Sequence, residues 1–186
     1  MARRSFSEAT YTPTATADTA TTLANGTYQA IGASGATAKV IIKEIWIGGQ
    51  AIASAVNIMQ FARDHVLGGS LTALAAPNSD GPLDTGTAAL ASVPLTFVAA
   101  TTPPQRSSLT TSARLSLSHN AYGGIVAWHA GPGEEWGITG VTVDVSESSL
   151  SCYTGGNVGL IGSHIIYEPL SFFVCAVLSV LCVLSA

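Results

Sequence analysis

Short runs of β-branched and aromatic residues, separated by glycine and proline, dominate this sequence. The clearest case lies between Gly123 and Gly140. Ile125 to Trp128 form an apolar, β-prone run, Gly131-Pro132-Gly133 has the composition of a turn, and Trp136 to Val145 resumes an apolar pattern. This order predicts a β-hairpin of two antiparallel strands. Because an isolated hairpin cannot bury its apolar face, the pattern also predicts a larger sheet protein.

Comparable runs recur along the chain and predict about eight strands in all. The further runs are Thr37 to Ile47, Val56 to Ala62, Val93 to Ala99, Arg114 to Ser118 and Leu160 to Glu168. The stretch from Pro77 to Thr87 is too rich in turn residues for a central strand and predicts a long surface loop. Many short strands with turns between them indicate an all-β protein, either an antiparallel β-sandwich of jelly-roll or similar topology, or a barrel.

The run from Thr37 to Ile47 is apolar on both faces of its predicted strand. Strict alternation assigns Ile41, Lys43, Ile45 and Ile47 to one face, and Val40, Ile42, Glu44 and Trp46 to the other. Each face therefore carries one charge. We expect a strand in the middle of a sandwich whose two charges lie near a rim or are paired.

Three segments of different composition are predicted. Residues 1–26 are rich in alanine and threonine, without sustained periodicity, and predict an amino-terminal arm that is flexible or ordered by a partner. Residues 27–169 hold the strand runs and predict the sandwich domain. Within it, Cys152 to Gly156 is interpreted as a turn-rich linker. Residues 170–186 form a hydrophobic tail.

The tail contains no charge, glycine or proline from Leu170 to Ala186. Its seventeen residues reach the lower limit for a transmembrane helix, which needs about 17 to 25. Three interpretations stay open: a membrane anchor, a segment buried within an oligomer, or a reading-frame extension. At the other end, Met1 to Tyr11 lacks the apolar core of a signal peptide, so we expect synthesis in a cytoplasm.

Charged residues make up only 10% of the chain, against about a quarter in ordinary globular domains. A weakly charged surface of small residues favours a protein that is covered by other protein, so we expect a homo-oligomer, with a trimer as the preferred stoichiometry. The formal net charge is −4, and Arg3 and Arg4 form the only adjacent basic pair. Phosphate binding needs clustered lysine and arginine, and nucleic acid is therefore not an expected partner.

The chain shows no sequence motif for catalysis or for a cofactor. Its cysteines are Cys152, Cys175 and Cys182, and no CxxC pair is present. Its four histidines form neither an HxH nor an HExxH arrangement, so spacing supports no metal site. No serine lies in a nucleophile elbow. We expect a protein that is not an enzyme, with no catalytic residues, no metal and no cofactor.

The residues around the predicted hairpin turn are nevertheless the first candidates for ligand contact. His129 lies close in sequence to Glu134 and Glu135, which could place an imidazole beside a carboxylate. Trp128 and Trp136 flank the turn, and could form either a stabilising cross-strand pair or a carbohydrate-binding platform. An exposed structural turn is the alternative interpretation of the whole group.

Several motifs resemble those of small structural proteins encoded by tailed bacteriophages and prophages. They are the stretches Ile42 to Gln50, Leu74 to Leu83, Pro103 to Ser108, Gly123 to Trp136 and Gly162 to Pro169. The resemblance covers residues 1–169 and implies a capsid decoration or fibre-type protein, built on a β-sandwich and located in the virion. It also implies partners among other shell or capsid proteins. The tail after Pro169 departs from it.

Three hypotheses of function follow from these observations. The first is a non-enzymatic virion structural protein that self-associates and decorates or joins a larger protein shell. The second is a membrane-tethered β-sandwich that binds glycans or another surface ligand, with residues 170–186 as the tether. The third is a hydrolase with a catalytic triad or metal site that spacing does not show.

Overall fold

The computed structural model describes residues 5–10, 28–32, 38–66, 69–73, 81–82, 95–102, 105–106, 114–120, 122–139, 147–155 and 161–171. In these ranges every regular element is a β-strand. The strands are β1 (Phe6–Thr10), β2 (Tyr28–Gly32), β3 (Ala38–Gln50), β4 (Val56–Val66), β5 (Gly69–Ala73), β6 (Gly81–Pro82), β7 (Leu95–Thr102), β8 (Gln105–Arg106), β9 (Arg114–Asn120), β10 (Tyr122–His129), β11 (Trp136–Thr139), β12 (Glu147–Gly155) and β13 (Ile161–Ser171). The all-β prediction is confirmed.

The strands form two antiparallel sheets. The first sheet has the order β10-β3-β13-β1-β6, with β11 also paired to β3. The second has the order β5-β7-β2-β12-β4-β8, with β9 also paired to β4. Side chains from both sheets share one core, so the sheets pack face to face as a sandwich. Its apolar members are Ile31, Val40, Ile42, Ile45, Ile47, Met59, Phe61, Leu117, Trp136, Ile138, Leu150, Ile165 and Tyr167.

The predicted hairpin between β10 and β11 is wrong. Both strands pair antiparallel with β3: His129 lies opposite Glu44, and Trp136 lies opposite Ile42. The two strands therefore run in the same direction, end to end along one edge of β3. The turn between them is real, since the Glu134 amide donates to the carbonyl of Gly131 at 3.0 Å. This turn does not reverse the direction of the chain. The Ala130 amide, just before the turn, still donates to the carbonyl of Lys43 in β3, 2.8 Å away, and the chain resumes its pairing with β3 after the turn.

A β-bulge at Lys43 accounts for the turn between β10 and β11. It also means that the residues of β3 lie on other faces than strict alternation predicts. On the opposite edge of β3, Ile166 lies opposite Glu44 while Tyr167 lies opposite Ile42, so β13 also skips Lys43. One extra residue reverses the alternation of a strand. Val40 and Ile42 before the bulge, and Ile45 and Ile47 after it, consequently all belong to the core. Glu44 and Trp46 lie on the outer face.

Cys152 to Gly155, predicted as part of a linker, instead belong to β12. This strand lies in the interior of the second sheet, between β2 and β4. Its sequence shows no apolar alternation, because serines occupy several of its buried positions. These serines are hydrogen-bonded. Ser148 accepts from Trp136 Nε1 at 3.0 Å, Ser149 donates to Asp64, and Ser151 accepts from Arg106. Paired in this way, buried polar groups do not incur the full penalty of desolvation.

Polar contacts also connect the two sheets. The Trp136–Ser148 bond joins β11 to β12, and Ser163 of β13 bonds to Gln29 of β2. Arg63 of β4 donates to the Gly137 carbonyl at 2.8 Å, and its guanidinium lies 5.1 Å from the centre of the Trp136 ring. Trp136 therefore packs against the second sheet through its ring, which is 4.9 Å from that of Phe61, and through its N–H.

The ends of the domain differ from the predicted boundaries. Phe6–Thr10, within the predicted arm, forms β1 and pairs with β13 of the same chain. The last strand continues through Pro169 to Ser171. Among the described residues, β1 pairs with β13 only as far as Tyr167, so Pro169 lies beyond that pairing. Residues 1–4 and 11–26 of the arm and 172–186 of the tail, with Cys175 and Cys182, lie outside the described residues. So does most of the loop Pro77 to Thr87. The described part of the chain holds no helix long and apolar enough to cross a membrane.

The turn at residues 131–134 generates a first testable prediction. Gly133 has φ of +81°, which suits glycine at the third position of a type II turn. We expect Gly133→Ala to lower the free energy of unfolding by about 1 to 2 kcal/mol, because a side chain is strained in the left-handed region. Urea unfolding of the purified protein measures the change.

Gly48→Ala is the matched control for this substitution. Gly48 lies in β3, and a Cβ added there meets no atom within 4 Å. We expect a change within about 0.5 kcal/mol, as at other unconstrained surface positions. Equal losses in the two variants would contradict the assigned role of Gly133.

A buried histidine in the second sheet gives a prediction about pH. His119 of β9 lies opposite Asn57 of β4, and the two residues are 6% and 0% exposed. Burial lowers the pKa of His119 from its ordinary value of 6.5, while the backbone of Asn57 acts in the opposite direction. As pH falls below about 6.5, the unfolded chain binds a proton before the folded chain does. The free energy of unfolding should therefore decrease between pH 7 and pH 5.

Urea unfolding at both pH values tests this expectation. We expect a smaller decrease in His119→Gln than in the parent protein, because glutamine does not titrate. The control is Ser118→Ala, at an exposed position of the same strand without a titrating side chain, and we expect it to behave as the parent does. A pH dependence unchanged in His119→Gln would show that this imidazole does not contribute.

Candidate functional site

The described structure gathers four polar and aromatic side chains on the outer face of the first sheet. We call Glu44, Trp46, His129 and His164 the Glu44 cluster. Glu44 and Trp46 are two residues apart in β3 and therefore share a face. His129 of β10 lies opposite Glu44, and His164 of β13 lies opposite Trp46. Three neighbouring strands thus contribute to one patch, and the bulge at Lys43 orients Glu44 and Trp46 outward.

The Glu44 carboxylate is the centre of this cluster. Its Oε2 atom accepts a hydrogen bond from Trp46 Nε1 at 2.8 Å and lies 3.5 Å from His129 Nδ1. The His129 ring meets the Trp46 ring edge-on, with 5.2 Å between their centres. Trp46 is 38% exposed, so its ring is only partly covered by these neighbours.

The charge of the same carboxylate also affects the pKa of His164. Partial burial lowers the pKa of His164, and the negative charge of Glu44 raises it in part toward its ordinary value. Lys43 Nζ, at the bulge, lies 3.9 Å from Glu168 Oε2. Of the two charges for which the sequence predicted a rim position or a partner, Lys43 thus pairs with Glu168, and Glu44 has Trp46 and His129 as neighbours.

The structure separates the residues that the sequence analysis grouped around the turn. His129 is exposed, and its acidic neighbour is Glu44. Glu134 and Glu135 are exposed in the turn, where the Glu134 carboxylate lies near Gly131. Trp136 is 8% exposed and faces the core.

Trp128 also lies on the inner side, half-buried and packed against the core. The two tryptophans are not cross-strand partners, since their strands run end to end along β3. Of the three tryptophans, Trp46 is the one whose ring lies on the outer face. A carbohydrate platform built from Trp128 and Trp136 therefore has no support in this geometry.

Sequence reasoning missed Glu44, Trp46 and His164 as members of a shared site. The signal that could have found them is the pair Glu44 and Trp46, polar or amphipathic residues at alternate positions in an otherwise apolar strand. Their joint exposure depends on the bulge, which simple alternation does not predict. His164 joins them through the register of β13, a contact between residues more than a hundred positions apart.

The members of the cluster are a carboxylate, an indole and two imidazoles. These groups can exchange hydrogen bonds with a ligand or partner, and the Trp46 ring offers an apolar face beside them. Within the described part of the chain, no group of three or more histidine, cysteine, aspartate or glutamate side chains is arranged to hold a metal ion.

Comparisons with known proteins assign no family. No family model matches the chain, and no curated protein matches it. Similar solved structures include the VP2 protein of infectious bursal disease virus in derived T=1 particles, at 14% identity and a TM-score of 0.15, covering 91% of this chain and 42% of that one. The VP2 subviral particle of the same virus matches at 16% identity and a TM-score of 0.14, with 89% and 42% covered.

A structure of the Gx strain of this virus matches at 15% identity and a TM-score of 0.14, covering 99% of this chain and 47% of that one. The chain thus spans less than half the length of each of these structures. TM-scores this low do not indicate a shared fold, and these similarities support no assignment of function.

The pairing within the Glu44 cluster leads to a third prediction. We expect Glu44→Gln to lower the pKa of His164 further, because the substitution removes the negative charge that favours the imidazolium and leaves the effect of burial. Titration of the histidine ring signals by NMR measures this change. The pKa of His119, which lies in the second sheet, serves as the control and should stay constant. An unchanged or raised His164 pKa would contradict the electrostatic link.

Proposed function

We propose that this chain is a non-enzymatic structural protein of a virion that self-associates and decorates or joins a larger protein shell. The observation that carries this proposal is a group of apolar side chains exposed at one end of the sandwich. Ile52 is 93% exposed, Val56 66%, Tyr122 64% and Ile125 76%. We call these four residues the apolar end.

The pairing of the strands places these residues together. Tyr122 lies opposite Gln50, two residues before Ile52, while Val56 lies opposite Asn120. Residues 51–55 connect β3 to β4. A 2.8 Å hydrogen bond from Asn120 to Ser54 joins this loop to the end of β9. Concentrated apolar exposure on a folded domain is typical of an interaction surface.

The low charge of the chain supports the same proposal. With 10% charged residues, the protein has few groups that keep copies apart by repulsion. The motif resemblance to structural proteins of tailed bacteriophages supports placement in a virion as a decoration or fibre-type component. A trimer remains the preferred stoichiometry, with shell proteins as further partners.

Self-association is the part of this proposal that can be tested directly. We expect the mass of the full chain in solution to rise with concentration in sedimentation equilibrium. Ile52→Ser should weaken association about tenfold, equivalent to about 1.4 kcal/mol, because burying an isoleucine side chain contributes about 1.5 to 3 kcal/mol. Its unfolding free energy should change by less than about 0.5 kcal/mol, since Ile52 is exposed.

Ile52→Leu is the matched control, because it retains the apolar surface and should associate as the parent does. A chain that is monomeric at every concentration would overturn the proposal. Association that is equally strong in Ile52→Ser would remove the apolar end from it.

A further inference from the structure

We infer that β10 is a seam at which two copies of this chain join, pairing antiparallel about a two-fold axis at Ala127. This inference rests on the self-association proposed above and adds the surface, the direction of pairing and the register. A two-fold seam joins copies in pairs, so it is a contact separate from the one that would form a trimer. Its starting point is that β10 lies at the end of the strand order in the first sheet. An edge strand presents unpaired N–H and C=O groups that can template another strand.

Natural edge strands are protected from such pairing by being short or by carrying charge, proline or a bulge. Most described edges of this protein have such protection. On the far edge of the first sheet, β6 is two residues long and contains Pro82. In the second sheet, β8 is two residues long, β9 begins with Arg114 and β5 has five residues.

By contrast, β10 is eight residues long and contains no lysine, arginine, aspartate, glutamate or proline. It has a single protective feature, a register shift between Tyr122 and Ile125. After that shift, Ile125 to His129 pair regularly with β3, one residue at a time. Within the described part of the chain, residues 125–129 therefore form a regular edge that pairs with β3 alone and carries no lysine, arginine, aspartate or glutamate.

Strand geometry selects the register of the seam. Residues directly opposite one another in an antiparallel pair project from the same face of the sheet. A two-fold axis between two residues would pair inner with outer side chains, so the axis must pass through a residue. Only an axis at Ala127 uses all five regular positions, from Ile125 to His129.

The side chains that this register brings together are compatible. Exposed Ile125 would lie opposite the partner's His129 on the outer face. Half-buried Val126 would lie opposite the partner's Trp128 on the inner face, which extends the core surface of one copy into the next. Ala127 would meet only the small side chain of the partner's Ala127. No position places two like charges opposite each other.

The occupant is a second copy because the strand is complementary to itself in this register. Aliphatic and aromatic cross-strand pairs stabilise sheets, whereas like charges placed directly opposite destabilise them. The Glu44 cluster then lies beside the seam, with His129 held by Glu44 within its own copy.

A cysteine placed on the axis tests the seam in the full chain. Ala127→Cys is introduced together with Cys152→Ser, Cys175→Ser and Cys182→Ser, so that the introduced cysteine is the only thiol in each copy. Under mild oxidation we expect a disulfide-linked dimer as the main product on a non-reducing gel. The control in the same background is Ser118→Cys, at an exposed strand position in the second sheet, and it should stay monomeric on the gel.

A second pair of variants tests the seam without cross-linking. Ala127→Lys places two ammonium groups opposite each other at the axis and should weaken self-association at least about tenfold, or about 1.4 kcal/mol. Ser118→Lys should leave association within about twofold of the parent. Near-UV circular dichroism checks that both variants are folded, and if Ala127→Lys is not, the cysteine experiment decides.

The outcomes separate this inference from the function on which it rests. If the parent chain associates but Ala127→Cys cross-links no more than Ser118→Cys, the seam is overturned while self-association stands. Association insensitive to Ala127→Lys in a folded variant also overturns the seam, and would assign the contact to another surface. A parent chain that stays monomeric at all concentrations overturns both.

Discussion

The bulge at Lys43 is the local feature on which the first sheet depends. It lies in β3, which pairs with β13 on one side and with both β10 and β11 on the other. At this residue β13 shifts its register. On the opposite edge, β10 ends and β11 begins, and the turn between His129 and Trp136 separates them. Because the alternation of β3 reverses here, Ile42 and Ile45 can both enter the core. The same reversal orients Glu44 and Trp46 toward the outer face.

Buried polar contacts, as well as apolar packing, determine how the two sheets meet. Trp136 inserts its ring beside Phe61 and donates its N–H to Ser148, while Arg63 reaches back to the Gly137 carbonyl. Such bonds are directional, so they select one alignment of the sheets among those that apolar contact alone would accept. They also explain why a serine-rich strand, β12, lies in the interior of the second sheet.

The outer surface of the described domain divides into regions of different character. The Glu44 cluster is a compact polar and aromatic patch in which Glu44 accepts a hydrogen bond from Trp46 and lies beside His129. The apolar end and the β10 edge adjoin it and leave Ile52, Tyr122 and Ile125 largely uncovered. A protein with so few charges has little electrostatic protection against contact at such places. In the proposed role, assembly into a shell would use this property, because each copy would contact others over much of its surface.

The amino-acid sequence by itself determined the fold class and most of the longer strands. The runs that became β3, β4, β9 and β13 are recognisable because β-branched and aromatic residues concentrate there between turn residues. The turn at Gly131-Pro132-Gly133 is likewise a local property, since proline and glycine restrict the backbone in the same way wherever they occur. The weak charge of the surface is also a matter of composition alone.

Only the tertiary structure decided how these pieces pair. Local composition cannot distinguish a turn that reverses the chain from a turn that interrupts a straight edge. The difference is whether the two flanking strands pair with each other or, as here, both pair with β3. Nor can it show that Ser148 and Ser149 are buried, since their hydrogen-bond partners come from distant strands. The Glu44 cluster has the same origin: Glu44, His129 and His164 meet through the registers of three strands. Residue type set the local conformation, whereas the long-range hydrogen bonds of the sheets determined which side chains share a face.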